Sequence, residues 1–156
     1  MRFLVDGYNV TRSDPATAEL ALVDQREALV ARLAVRGSDL LGRGTITVVF
    51  DGRSGGGADA RRGSVEVRFS RDESADDLIA RLADATQDGV TVVTSDGGLR
   101  SRVSRPGVTV LGAEVCAEGR KVRRSRGRYP ASGAGLPPGA NKVTEELKRL
   151  WLNDGE

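Results

Sequence analysis

Five side chains of this 156-residue chain have the chemistry to gather a hard cation: Asp6 and Asn9 in VDGYN, Asp51 in VVFDG, Asp76 in ESADDLI and Asp96 in VVTSDGG. Asp6, Asp51 and Asp96 follow the apolar runs Phe3 to Val5, Ile46 to Phe50 and Val90 to Val93, which read as short buried strands. In an open α/β sheet the carboxyl ends of the strands share one rim, so carboxylates distant in sequence can converge there. Four carboxylates in one crevice repel each other unless cations offset their charge, and carboxylate oxygens suit Mg²⁺ or Mn²⁺. Such ions acidify a bound water, and the chemistry then requires no histidine base.

Each acid also has a plainer explanation when taken singly. Asp51-Gly52 is a common hairpin signal, Ser95 or Asp96 can cap a helix starting at Gly97, and Asn9 suits a post-strand turn. Asn9 can equally hold a metal-bound water or a phosphate oxygen, and Gly7 lets the backbone turn tightly or accept a close ligand. The adjacent Asp76 and Asp77 can be told apart. Ala75, Leu78, Ile79, Leu82 and Thr86 define one apolar helix face, which leaves Asp76 on its flank and Asp77 nearly opposite. Ser74 and Asp77 fit a capping box, so Asp77 is assigned to structure and Asp76 to the rim, with Glu73 a candidate outer group.

Composition narrows the options. Histidine is absent and Cys116 is the only cysteine, which removes Ser-His and Cys-His nucleophiles, histidine zinc sites and any internal disulfide. Cys116 is expected to be buried. The length fits one domain of about 150 residues. No apolar stretch approaches the roughly 20 residues needed to span a bilayer, and the first residues run straight into a strand, so a soluble, cytoplasmic protein is expected. Net charge is +2, yet residues 120 to 128, RKVRRSRGR, carry six Lys or Arg and no acid, leaving −4 for the remainder. Arg120, Lys121, Arg123, Arg124, Arg126 and Arg128 are therefore expected to grip a polyanion, the alternative being a solvated tail.

These residues need elements to position them. A strand is predicted over 2 to 6, then a long helix from the Asp14-Pro15 cap to about Arg36, broken by Gly37 and the Gly42-Gly44 region. A strand follows at 46 to 50, and after it a glycine-rich loop through residue 63. Further expectations are a strand with alternating Val65, Val67 and Phe69, a helix over 74 to 87, a strand over 90 to 94, a helix over 97 to 103 and a strand over 108 to 111 leading into a short helix. Alternating strands and helices argue for an α/β fold with a mostly parallel sheet covered on both faces. Residues 1–119 form the expected domain and 120–140 a basic segment and linker. Residues 141–156 are expected to form an amphipathic helix marked by Val143, Leu147, Leu150 and Trp151. Gly55-Gly56-Gly57 lacks the spacing of a P-loop or dinucleotide site.

In that order, DGYNV, VVFDG, ESADDLI and VVTSDGGL resemble the NYN family of PIN-like nucleases, most closely its YacP-like branch, over roughly residues 1 to 120. The resemblance implies a PIN-like three-layer α/β/α sandwich and Mg²⁺- or Mn²⁺-dependent endonucleolytic cleavage of RNA, with Asp6, Asp76 and Asp96 holding metal and Asn9 and Asp51 beside them. It further implies mRNA or rRNA as partner and an association with the ribosome. Related flap endonucleases carry a glutamate where this chain has Ser74, which leaves a second ion less supported. Arg53, Arg61, Arg62 and Arg100 fall on segments expected near the rim and are candidate RNA contacts. Tyr8 and Tyr129 are either base-stacking residues or core or turn residues. Two alternatives compete with the nuclease: a non-catalytic RNA- or ribosome-binding adaptor of the same fold, and a metal-dependent phosphatase.

Overall fold

The computed structural model describes residues 1–54, 57–87 and 89–119. The elements run β1 (Arg2–Asp6), α1 (Gly7–Ser13), α2 (Leu22–Leu40), β2 (Thr45–Asp51), a 3-10 turn (Gly52–Ser54), β3 (Ala60–Arg62) and β4 (Val65–Ser70). There follow α3 (Ala75–Asp84), β5 (Val90–Val93), α4 (Gly97–Val103), β6 (Val108–Leu111) and a second 3-10 turn (Ala113–Cys116). The strands form one six-stranded sheet ordered β3-β4-β2-β1-β5-β6, parallel except for β3.

Strand residues alternate between two cores because successive side chains leave a strand on opposite faces. Phe3, Val5, Ile46, Val48 and Phe50 pack with Leu29, Val30 and Leu33 of α2 on one side. Leu4, Val49 and Val92 pack with Leu78, Ile79, Leu82 and Leu99 of α3 and α4 on the other. The result is the three-layer α/β/α arrangement. Strand β1 lies between β2 and β5, with Asp6 beside Val49 and Val5 beside Val93. All three strands point the same way, so their carboxyl ends meet.

The chain departs from expectation between residues 7 and 40. No helix begins at Asp14-Pro15: α1 starts directly at Gly7, Asp14 ends it, and α2 begins only at Leu22. The Asp14 carboxylate does not cap a helix because it is drawn into a long-range network, with Arg32 Nη1 at 2.7 Å and the Glu118 N–H at 3.0 Å from Oδ2. Between the helices, Gln25 holds the turns by donating to the carbonyls of Ala18 and Leu20, at 3.2 and 2.8 Å. Gly37 lies inside α2, where a β-carbon would collide with the Ile46 side chain, so it serves close packing and does not end the helix.

The Asp51-Gly52 pair does not make a hairpin either: β2 and β4 are parallel, and the hairpin joins β3 to β4. Cys116 is fully buried, as expected. Among the described residues no helix is long and apolar enough to cross a membrane. Gly55 and Gly56, the basic segment from Arg120 to Arg128, Tyr129, the linker and the expected terminal helix lie outside the described residues.

Candidate functional site

Asp6, Asn9, Asp51, Asp76 and Asp96 all line one cavity of about 310 Å³ at the carboxyl rim of the sheet. Strand β1 delivers Asp6, β2 delivers Asp51, the segment after β5 delivers Asp96, and the first turn of α3 delivers Asp76. Gly7 permits the assembly at its base. A β-carbon there would strike the Phe50 ring, so glycine lets α1 start immediately after Asp6 and keeps Asn9 within reach of the rim.

Asp6 is 8 % exposed, and its carboxyl is pushed up to about 6. Burial is the main cause and the nearby Asp76 and Asp96 charges add to it, while bonds from the Thr94 hydroxyl and the Asn9 N–H oppose it. Asp76 is likewise raised, first by burial and then by Asp96, with Arg102 opposing. Asp6 and Asp76 are each raised by an acid distant in the sequence, which shows that the rim carboxylates have converged in space.

Thr94, which sequence reasoning passed over, joins them. Its buried hydroxyl donates to Asp6 Oδ2 at 3.0 Å and accepts from the Asp96 N–H at 3.1 Å. Asn9 Oδ1 accepts from the Ser95 N–H at 2.7 Å, which fixes the orientation of the amide and leaves the NH₂ group as its donor toward the cavity. Asn9 is therefore a helix residue tying α1 to the segment after β5, not a turn residue. Asp96 does cap α4, accepting from the Leu99 N–H at 2.8 Å through Oδ1. Asp51 accepts from the Arg53 N–H at 2.9 Å through Oδ1. The capping bond of Asp96 and the local turn bond of Asp51 coexist with their place at the rim, because each carboxylate has a second oxygen.

Ser74 and Asp77 form the expected capping box, and Asp77 also pairs with Arg102 at 2.6 Å. The Ser74 bond and then Arg102 hold the Asp77 carboxyl below its ordinary range. Ser74→Ala is expected to cost about 1 kcal/mol, read as a lower urea midpoint at unchanged m value. Glu73 faces elsewhere: it pairs with Arg81 and lines a separate cavity of about 380 Å³, which Arg71 and its partner Asp59 also line.

The arginines divide. Arg100 lies by the rim, donating to the Thr94 carbonyl at 3.3 Å, and Arg53 stands two residues after Asp51, bonded to it through its N–H. Arg61 and Arg62 are not on a rim loop. They belong to β3, where pairing with Glu66 and Val65 sets them toward the amino end of β4, away from the carboxylates. Tyr8 is a core residue, 4 % exposed, its ring 5.1 Å from that of Phe50. Arg12 lines the cavity and was not anticipated from sequence. Its only local signal is the four-residue spacing from Tyr8 on α1, which is visible once a helix is known to start at Gly7.

The donor set is all oxygen and concentrated in acids, which fits a hard divalent ion. Among the described residues no group of three or more Asp, Glu or Cys side chains is arranged to hold an ion directly. A Mg²⁺-like ion keeps several of its waters and takes only one or two carboxylates plus phosphate, so such a rim suits it. Asp6, Asp76 and Asp96, the three expected from sequence to hold metal, line this cavity together without forming a three-carboxylate cage.

A mostly parallel sheet with acids gathered at its carboxyl rim makes this an α/β domain with an acidic rim site. The model of the YacP-like NYN domain family matches residues 3–128, and the chain belongs to that family. The match takes in the basic segment at 120 to 128. Among solved structures, the crystal structure of Rae1 (YacP) from Bacillus subtilis is similar at 26 % identity and TM-score 0.63, covering 97 % of this chain and 92 % of that one. A tryptophan-to-leucine mutant of the same protein is similar at 27 % identity and TM-score 0.60, covering 74 % and 71 %. No curated protein matches the chain.

Proposed function

We propose that this protein is a cytoplasmic, Mg²⁺- or Mn²⁺-dependent endoribonuclease that hydrolyses RNA phosphodiester bonds, with ribosome-associated mRNA as its target class. The observation that carries the reading is the convergence of Asp6, Asp51, Asp76 and Asp96 on one cavity, where Asp6 is pushed up to about 6 by burial and by its acidic neighbours. Membership of the NYN family supports RNA as substrate.

A bound ion would supply an acidified water and offset charge on the phosphate. Asp6, Asp76 and Asp96 would hold it, in part through its own waters, with Thr94 keeping Asp6 and the Asp96 backbone in register through its two hydrogen bonds. The Asn9 NH₂ group is oriented to donate to a non-bridging phosphate oxygen. Asp51 has Oδ1 committed to the Arg53 N–H and Oδ2 left to accept a hydrogen bond from the attacking water. In-line attack then leaves a 5′-phosphate and a 3′-hydroxyl.

The test is incubation of a labelled single-stranded RNA with the full chain in Mn²⁺, followed by end-group analysis. Cleavage abolished by EDTA, with 5′-phosphate products, is expected. RNA that is bound but left intact with every divalent ion would return the chain to the adaptor reading, and turnover confined to small phosphomonoesters would favour a phosphatase.

A further inference from the structure

One cation faces the acidic cavity. Among its described lining residues Arg12 alone is basic, set against Asp6, Asp51, Asp76 and Asp96. Oppositely charged side chains sharing a cavity ordinarily pair, as Arg32, Arg81, Arg102 and Arg105 do elsewhere in this domain. Among the described residues Arg12 makes no such pair. Its guanidinium carbon lies 5.2 Å from the centroid of the Tyr8 ring, one helical turn earlier on α1.

That ring is a fixed platform: it is buried, it packs on Phe50, and its hydroxyl accepts from Arg26 Nη1 at 3.3 Å. A guanidinium stacked on an aromatic face uses its π surface and keeps its N–H edges available. Those edges match two oxygens of a phosphate in a planar, bidentate geometry that an ammonium does not reproduce. The backbone of RNA entering the cavity otherwise meets four carboxylates, so a preplaced cation at the mouth lowers the electrostatic barrier to entry.

We infer that Arg12, held over Tyr8, is a phosphate-binding residue of the cleft, contacting the RNA backbone next to the carboxylate rim. This rests on the reading of the cleft as an RNA site, and the two can fail separately. Phosphate contact is read from salt dependence, because each contact to a single strand contributes about 0.7 to the slope of log affinity against log salt.

The experiment uses the full chain carrying Asp76→Asn to prevent turnover and a fluorescein-labelled single-stranded RNA, titrated at several salt concentrations. Adding Arg12→Ala is expected to weaken binding roughly threefold to tenfold and to lower the slope by about 0.7, while Arg12→Lys keeps the slope and loses part of the affinity. In the otherwise wild-type chain, Arg12→Ala should also slow single-turnover cleavage at saturating RNA by roughly a hundredfold, since charge grows on the phosphate in the transition state. Melting temperatures unchanged for both Arg12 variants are expected, because the side chain is exposed. An unchanged salt slope in Arg12→Ala overturns the inference, as does an equal loss of slope in Arg12→Lys. A wild-type chain that cleaves no RNA while the slope still falls in Arg12→Ala would overturn the nuclease reading and leave the phosphate contact standing.

Discussion

Asp76→Asn is expected to reduce divalent-ion-dependent RNA cleavage by at least roughly a thousandfold, because ion and acidified water lose a ligand together, while RNA affinity changes no more than a few-fold. Asp6→Asn should do the same and also stabilise the ion-free fold. The Asp6 carboxyl is raised from 3.8 to about 6, so between those values the folded state binds more protons than the unfolded one. Its contribution is fully present below about pH 4 and is lost as pH rises through about 6, which makes ionised Asp6 a burden of about 3 kcal/mol at neutral pH. In EDTA at pH 7.5 the Asp6→Asn chain should therefore melt several degrees above wild type, with the gap closing toward pH 4. Adding Mn²⁺ should raise the wild-type melting point far more than that of the variant, since only the wild type binds the ion well. Equal melting points in EDTA, or a Mn²⁺ shift of the same size in both chains, would sink this account of the rim.

The second large effect is structural. Arg32, whose side chain is 8 % exposed, bonds to Asp14 Oδ2 at 2.7 Å, to the Cys116 carbonyl at 2.8 Å and to Glu118 at 3.2 Å. Burial pushes the Asp14 carboxyl up, but the N–H groups of Glu118 and Ala16 and the Arg32 guanidinium outweigh it and bring the group below its ordinary range. Arg32→Met leaves that buried carboxylate without its cationic partner, held only by the Ala16 and Glu118 N–H groups, which costs up to about 3 to 5 kcal/mol. For a domain of this size the melting temperature should fall by roughly 6 to 20 °C. Pairing the change with Asp14→Leu should recover part of the loss, since the stranded charge is then gone. A double variant no more stable than Arg32→Met alone would show that the network matters through something other than charge.

Local patterns exposed the five parallel strands but not β3, which lay in the expected loop, and they also exposed the capping box at Ser74 and the distinction between Asp76 and Asp77, because each is decided within a few residues by period or by cap chemistry. The region from 7 to 21 was opaque for the opposite reason. Helix α1 is seven residues long, too short to display an apolar period, and Asp14 takes a partner at Glu118 that no local rule anticipates. Sheet order was not legible either, so the place of Arg61 and Arg62 could not be read: only the antiparallel register of β3 on β4 sets them away from the rim. Thr94 escaped notice because a threonine ending a β-branched run looks like one more strand residue, and its role depends on β5 lying beside β1. That the aspartates converge was a correct expectation from strand ends; which oxygen of each remains uncommitted required coordinates.

Strand β1 occupies the middle of the sheet although it is made first, and its neighbours β2 and β5 arrive much later in the chain. A nascent polypeptide that has emerged only through β4 has Asp6 and Asp51 but no flank for the other edge of β1, and neither Thr94 nor Asp96. Half-made copies therefore have no assembled centre. Only once synthesis has passed β5 and Asp96 does one chain hold all four acids of the rim.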